Sequence, residues 1–281
     1  MGKLADTLSL IKFSHTLFAL PFALASMLVA ANGLPPLRII LLILACMVTA
    51  RTAGMAFNRY LDAEIDARNP RTATREIPRG VISRRFALSL SVISALLFVL
   101  SAAAINPLCL RLSPIALFFV FFYSYTKRFT PLAHLFVGIA LGLAPIGAWI
   151  ATTGEFGLES LILGIGVLFW VAGFDIIYAT LDSEFDKKEG LHSVVVALGI
   201  KKALLVSRLF HVITFLGFSL FGILIEASWS YWFALAICLF LLVYEHTLVK
   251  PNDLSKVNAA FFNMNGYVSV VFLAGVIISV F

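Results

Sequence analysis

The sequence predicts an all-α, polytopic membrane protein, and three observations carry that prediction. Of 281 residues 61% are hydrophobic and only 13% charged, with a mean hydropathy of +1.00. Apolar runs recur along the whole chain at about 20 residues, the length a helix needs to cross a hydrocarbon core of about 30 Å. Lys and Arg fall almost entirely into alternate connections, the mark of a polytopic membrane topology. A soluble domain is about a quarter charged. Here, with 26 Phe, too few polar residues remain to cover a water-facing surface. That excludes a soluble globular enzyme, a disordered chain and a nucleic-acid-binding domain, despite a pI near 9.3. Ten-residue blocks of alternating polarity, expected of a membrane β-barrel, are absent.

Nine spans are predicted, at about 15–33, 37–57, 86–105, 112–126, 132–152, 160–181, 203–225, 229–249 and 258–281. The first contains Ala23-Leu24-Ala25, which resembles a signal-peptide cleavage site, but eight further spans favour an uncleaved helix. The second and sixth end in acidic motifs and run into the two longest connections, 67–85 and 183–202. The fourth is short and ends in Tyr-Ser-Tyr-Thr-Lys127-Arg128. Nine spans put the termini on opposite sides. The face of the N-terminus then holds nineteen of the 21 Lys and Arg, while Arg38 and Arg111 alone fall on the other. This asymmetry makes the first face cytoplasmic. The formal charge of +6 divides into +7 there and −1 outside. Cys46, Cys109 and Cys238 lie in or beside apolar runs with no ligand spacing and read as small apolar fillers.

The two long connections carry a repeat. Asn58-Arg-Tyr-Leu-Asp62-Ala-Glu-Ile-Asp66 aligns without gaps on Tyr178-Ala-Thr-Leu-Asp182-Ser-Glu-Phe-Asp186, 120 residues later. On a helix Asn58, Asp62 and Asp66 share one face, and Asp175, Tyr178, Asp182 and Asp186 form a second such stripe. Glu64 and Glu184 stand about 200° away, facing water or a neighbouring loop. Carboxylates four residues apart repel by a few tenths of a kcal/mol. Asp175, deeper in its span, costs about 2.5–3.5 kcal/mol near mid-membrane. Accepting that cost twice implies a cation. Hard oxygen ligands suit Mg²⁺, which takes one or two carboxylates and completes its shell with water and phosphate. Two clusters facing one another would hold two Mg²⁺ on a diphosphate; ordinary interfacial charge is the bland alternative.

The nearby cations extend this reading. Arg68, Arg71, Arg75, Arg79, Arg84 and Arg85 crowd the first connection, and anchoring to anionic lipid accounts for most of them. Arg59, Arg75, Lys127 and Arg128 are the candidates for phosphate, which the planar guanidinium fork binds through two oxygens. Pro78 and Gly80 impose a turn on Arg71-Thr-Ala-Thr-Arg75-Glu-Ile-Pro78-Arg-Gly80.

With these residues in view, the sequence resembles the UbiA family of intramembrane aromatic prenyltransferases. NRxxDxxxD stands at Asn58–Asp66 and DxxYxxxDxxxD at Asp175–Asp186; the RTxxRxxPxG loop and the YxxxKR segment match at Arg71–Gly80 and Tyr123–Arg128. The resemblance covers essentially the whole chain, read as one domain over 1–281 with motif-bearing cytoplasmic regions at about 58–85 and 178–202. It implies nine helices around a central cavity capped on the cytoplasmic side. It implies Mg²⁺-dependent transfer of a polyprenyl group from its diphosphate to an aromatic acceptor, within the lipid bilayer. By the same match Asn58, Asp62 and Asp66 carry one ion and Asp182 and Asp186 the other. Asp175, an acceptor-orienting group or base, and Tyr178 sit near the reacting centre with Arg59; Tyr123 binds substrate, and Arg59, Arg75, Lys127 and Arg128 hold the diphosphate or an acceptor carboxylate.

The expected acceptor is a hydroxylated aromatic carboxylate of quinone biosynthesis, such as 4-hydroxybenzoate. The wording Lys12-Phe-Ser-His15 through Pro21, with Leu191-His192-Ser193, looks more like the futalosine-route menaquinone branch, whose acceptor is a dihydroxynaphthoate. His15 and His192 lie beside the motifs, where a lone His is by default structural. A transporter built on repeated intramembrane carboxylates is the competing class. Both acidic clusters map to one membrane face rather than the midplane, which argues against it.

Overall fold

The structure is a computed structural model that describes residues 3–11 and 16–281; Lys12 and His15 lie outside the described residues. Every regular element among the described residues is helical. Among the described residues, eight helices are long and apolar enough to cross a membrane. The first predicted span is the exception to the count of nine. Its helix α2 (Thr16–Ala31) has 16 residues among those described, about 24 Å of rise, and residues 12–15 before it lie outside the described residues. It stops where Asn32 turns left-handed (φ 47°) and the Gly33 N–H donates to the Leu28 carbonyl, a Schellman-type end.

The chain forms two compact units. The first holds α1 (Lys3–Leu10), α3 (Leu37–Leu61), α4 (Ala63–Arg68), α5 (Arg84–Ile105) and α6 (Pro107–Thr126, assigned here up to Tyr125). Here α5 packs along α3, and Ser91 donates to the Ala53 carbonyl at 2.9 Å. The side chain of Ser83 caps α5 by accepting from the Phe86 N–H. Helix α6 begins five residues before the predicted 112, because Pro107 suits a first helical position, where no N–H partner is needed. Outward-facing Val92, Ile93, Leu96 and Leu100 mark the lipid side of α5.

The second unit holds α2, α7 (Ala133–Thr153), α8 (Leu158–Ala179), α9 (Ser183–Lys188), α10 (Val194–Leu198), α11 (Ile200–Leu224), α12 (Trp229–Leu248), a π-helical turn (Ala259–Met264) and α13 (Asn265–Val280). Helix α8 is the most buried span, flanked by α7 and α11. Its Trp170, Val171 and Phe174 meet Phe18 and Phe22 of α2 and Phe261 in an aromatic core. Without a hydrophobic drive between helices in lipid, close backbone approach decides such contacts. Gly142 of α7 and Gly164 of α8 provide it: a Cβ on Gly142 would lie 2.6 Å from the Gly164 carbonyl oxygen. Gly142→Ala should therefore lower the thermal midpoint in detergent, an overpacking cost of about 1–3 kcal/mol. Gly147→Ala on the same helix meets nothing within 4 Å and should not lower it.

A buried polar tie joins α12 to the π-helical turn. Asn265 Nδ2 donates to Glu245 Oε1 at 2.9 Å and to the carbonyls of Ala260 and Phe261 at 3.2 and 3.1 Å. Glu245 is fully buried. Replacing Asn265 by Ala strips that carboxyl of a donor, and a loss of about 1–3 kcal/mol should appear as a lower melting temperature. Asn265→Asp, which cannot supply the amide donors and adds a second acid, should cost at least as much.

Candidate active site

The first acidic motif is built at the end of α3. The helix closes at Leu61, and Asp62 takes φ −90°, ψ 4° before α4 begins. The hydrogen bonds nevertheless continue, Asp62 N to Asn58 O at 2.9 Å and Asp66 N to Asp62 O at 2.7 Å, so the four-residue register survives the kink. Asn58 Nδ2 donates to Asp62 Oδ2 at 3.2 Å and approaches Ser124 Oγ of α6 at 3.5 Å. Asp66 is buried, and Arg75 Nη1 donates to its Oδ1 at 2.7 Å. Its Oδ2 lies 3.9 Å from Arg59 Nη1, and among the described residues it has no hydrogen-bond partner.

The loop that returns Arg75 is held by its own backbone. Thr72 Oγ1 donates to the Asp66 carbonyl, and Asn69 Oδ1 accepts from the Arg71 N–H. Gly80 sits at φ 72°, where a side chain would be strained, and its N–H closes a turn onto Ile77. Arg68, Arg71, Arg79, Arg84 and Arg85 are exposed, in keeping with surface anchoring. Glu64 is exposed too and pairs with Arg84 at 2.9 Å. Arg59, by contrast, is 5% exposed and donates from Nε to the Leu10 carbonyl at 3.4 Å, which ties α1 to the motif.

The second motif repeats the design in the other unit. Helix α8 ends at Ala179, a 3₁₀ turn covers Thr180–Asp182, and Asp182 takes φ −105°, ψ 3° before α9. Thus the aligned aspartates Asp62 and Asp182 occupy the same sparsely populated backbone region, one favoured at active sites. Asp182 and Asp186 are partly buried and Glu184 is exposed. Tyr178 stacks on Phe261 with ring centroids 4.2 Å apart. The connection after α9 returns beside Lys127, whose carbonyl accepts from the His192 N–H at 2.7 Å. The His192 side chain is exposed. Lys127 and Arg128 are partly buried.

Two residues gain a place that the sequence reading did not give them. His134, in the first turn of α7, is buried and stands 2.7 Å through Nδ1 from Asp175 Oδ2. Arg51 is the second, counted above with the cytoplasmic cations. Because α3 runs on to Leu61, Arg51 lies about 15 Å inside it, within the span, so its assignment to the face is corrected. It shares a stripe with Met55, Asn58 and Asp62, and Tyr123 Oη reaches Met55 Sδ at 4.0 Å. Arg51 Nε is buried without a hydrogen-bond partner among the described residues. An ionisable residue inside a span is the signal that would have found Arg51.

The donors fit Mg²⁺. Both motifs present hard oxygens, and the buried Asp66 Oδ2 has no hydrogen-bond partner among the described residues, with the Arg59 guanidinium 3.9 Å away. Each motif offers a small set of oxygen donors, Asn58, Asp62 and Asp66 in one and Asp182 and Asp186 in the other, which suits an ion that keeps water and substrate phosphate in its shell.

Among the described residues, eight long apolar helices and two kinked helix ends bearing aspartates define a polytopic membrane enzyme with duplicated acidic motifs. The model of the UbiA prenyltransferase family matches residues 19–267, and the chain belongs to that family. It is 31% identical over 266 residues to the 4-hydroxybenzoate octaprenyltransferase of Vibrio atlanticus, covering 94% of this chain and 92% of that one. The enzyme of the same name from Aeromonas hydrophila is 31% identical over 264 residues, 94% and 91% of the two chains. Among solved structures, the apo UbiA homologue of Aeropyrum pernix aligns with a TM-score of 0.85 at 33% identity, over 94% of this chain and 97% of that one. A UbiA homologue of Archaeoglobus fulgidus, bound to GPP and Mg²⁺, shares the fold at a TM-score of 0.79 and 21% identity, over 98% and 99%.

Proposed function

We propose that this protein transfers a polyprenyl group from polyprenyl diphosphate to a hydroxylated aromatic carboxylate in quinone biosynthesis, in a Mg²⁺-dependent reaction. The observation that carries the reading is the pair of aligned motifs, each broken at its central aspartate, Asp62 or Asp182, in the same backbone conformation. Family membership supports it, as do relatives named 4-hydroxybenzoate octaprenyltransferase. We assign the whole chain, 1–281, to one catalytic domain, and the motif-bearing face, with eighteen Lys and Arg once Arg51 is set aside, to the cytoplasmic side of the cell membrane.

In this reading Asn58, Asp62 and Asp66 hold one Mg²⁺, and Asp182 and Asp186 the other. The ions, when bound, supply charge neutralisation on the diphosphate leaving group. Arg59, Arg75, Lys127 and Arg128 donate to diphosphate oxygens, charge-assisted bonds that strengthen as the allylic carbon–oxygen bond breaks. The apolar helices keep water from capturing the allylic cation, and the ring carbon of the acceptor attacks it instead. Asp175, with Tyr178 one turn away, stands where the acceptor hydroxyl or ring proton is taken. Arg51, a cation inside the span beside Tyr123, receives the acceptor carboxylate.

The test is direct. Membranes bearing the protein receive Mg²⁺, a polyprenyl diphosphate and either 4-hydroxybenzoate or 1,4-dihydroxy-6-naphthoate, with products read by mass spectrometry. Prenylated 4-hydroxybenzoate is the expected product. Exclusive prenylation of the naphthoate establishes the second reading, which the wording around Leu191-His192-Ser193 favours. Prenylation of neither overturns the acceptor class.

A further inference from the structure

Asp175 is an acid inside the most buried span, and its surroundings explain how it is held. The connection 154–157 is short, so α7 and α8 run antiparallel side by side, and their glycine contact at Gly142 and Gly164 keeps them close. His134, near the start of α7, and Asp175, near the end of α8, thereby meet at the same height, 2.7 Å apart. The His134 side chain is 6% exposed and that of Asp175 28%. An ionised carboxylate only accepts, so toward one His134 Nδ1 is the donor. Its Nε2 is buried with no partner among the described residues, so Nδ1 is the ring atom that the fold engages.

We propose that His134 is a positioning residue for Asp175. Its Nδ1–H fixes Oδ2 from the buried side and turns the rest of the carboxylate toward the aromatic acceptor, whose proton Asp175 accepts. The inference rests on the role of Asp175 given above. The arrangement resembles a histidine–carboxylate dyad with its roles exchanged: the carboxylate faces the substrate, and the imidazole stands behind it. A rotating Asp175 would present its oxygens in many directions, and a carboxylate held by one fixed donor presents one.

The test uses the full-length protein in detergent or nanodiscs, with the acceptor that the unaltered protein prenylates. His134→Phe should lower kcat about 10–100-fold, the size seen when a group that orients a reacting residue is lost. The KM for the prenyl diphosphate should stay within about twofold. His134→Asn places an amide N–H where Nδ1 stood and should recover most of the activity; His134→Gln, whose amide reaches the Nε2 position, should not. In an Asp175→Asn background His134→Phe should cause no additional loss. Equal activity of the Asn and Gln variants, unchanged kcat in His134→Phe, or a full additional loss in the double variant overturns the proposal. Should His134→Phe not fold, as judged by size-exclusion chromatography, the Asn–Gln comparison decides alone. An unaltered protein that prenylates neither acceptor overturns the reading of the site itself. An active one with indifferent His134 variants overturns only this assignment.

Discussion

Asp62→Ala and Asp182→Ala should each reduce prenyl transfer by at least about 10²–10³-fold, the scale of losing one preorganised group that stabilises developing charge. The two positions are equivalent in a strong sense: they align across 120 residues and break their helices with nearly the same φ and ψ. In the first motif the tie to the following loop is made by Asp66, clasped by Arg75 at 2.7 Å. Alanine at 62 leaves that tie in place, and at 62 or 182 the fall in activity should far exceed any fall in stability read from the thermal midpoint. Glu64→Ala and Glu184→Ala supply the controls, since both side chains are exposed, and they should stay within about twofold. Chelation with EDTA should abolish turnover, and added Mg²⁺ should restore it. Full activity in both aspartate variants would sink the two-ion assignment.

The span boundaries were legible because each depends on a local count of apolar residues, and α3, α5, α8 and α12 end within a few residues of where hydropathy places them. The aspartate stripes were legible for a related reason. Helical spacing is local, and the bonds from Asp62 N to Asn58 O and Asp66 N to Asp62 O preserve it through the kink. The kink itself was not legible, since no Pro or Gly marks it. The pairing of Asp66 with Arg75 requires a nine-residue loop to fold back, which spacing along one helix does not reveal. His134 was missed for a plainer reason. Its partner is 41 residues away on another helix, and only the approach of α7 to α8 brings the two together. Arg51 was visible as a letter but misplaced, because ending the span at 57 moved a partly buried cation toward the surface.

Arg51→Met should raise the KM for the aromatic acceptor about 10–100-fold and leave the protein as stable as before, or more so. Both halves of that expectation come from its position. An arginine inside a span costs about 2.5–3.5 kcal/mol relative to an apolar residue, so nothing in folding alone rewards keeping it. Its Nε, buried with no hydrogen-bond partner among the described residues, shows that the fold does not use the whole of its donor set. A substrate carboxylate would use it. The acceptor of the proposed reaction carries one, and a hydrogen bond to a charged group is worth about 1.5–3 kcal/mol, which is the predicted change in KM. The KM of the prenyl diphosphate should not move, because Arg51 lies two turns below Asn58 on α3 and away from the loop that holds Arg75. Phenol, which lacks the carboxylate, should be an equally poor acceptor for both proteins. That last comparison separates recognition of the carboxylate from general damage to the site: a variant that lost activity toward phenol as well would place Arg51 in the scaffold, and one with an unchanged acceptor KM would remove it from the site.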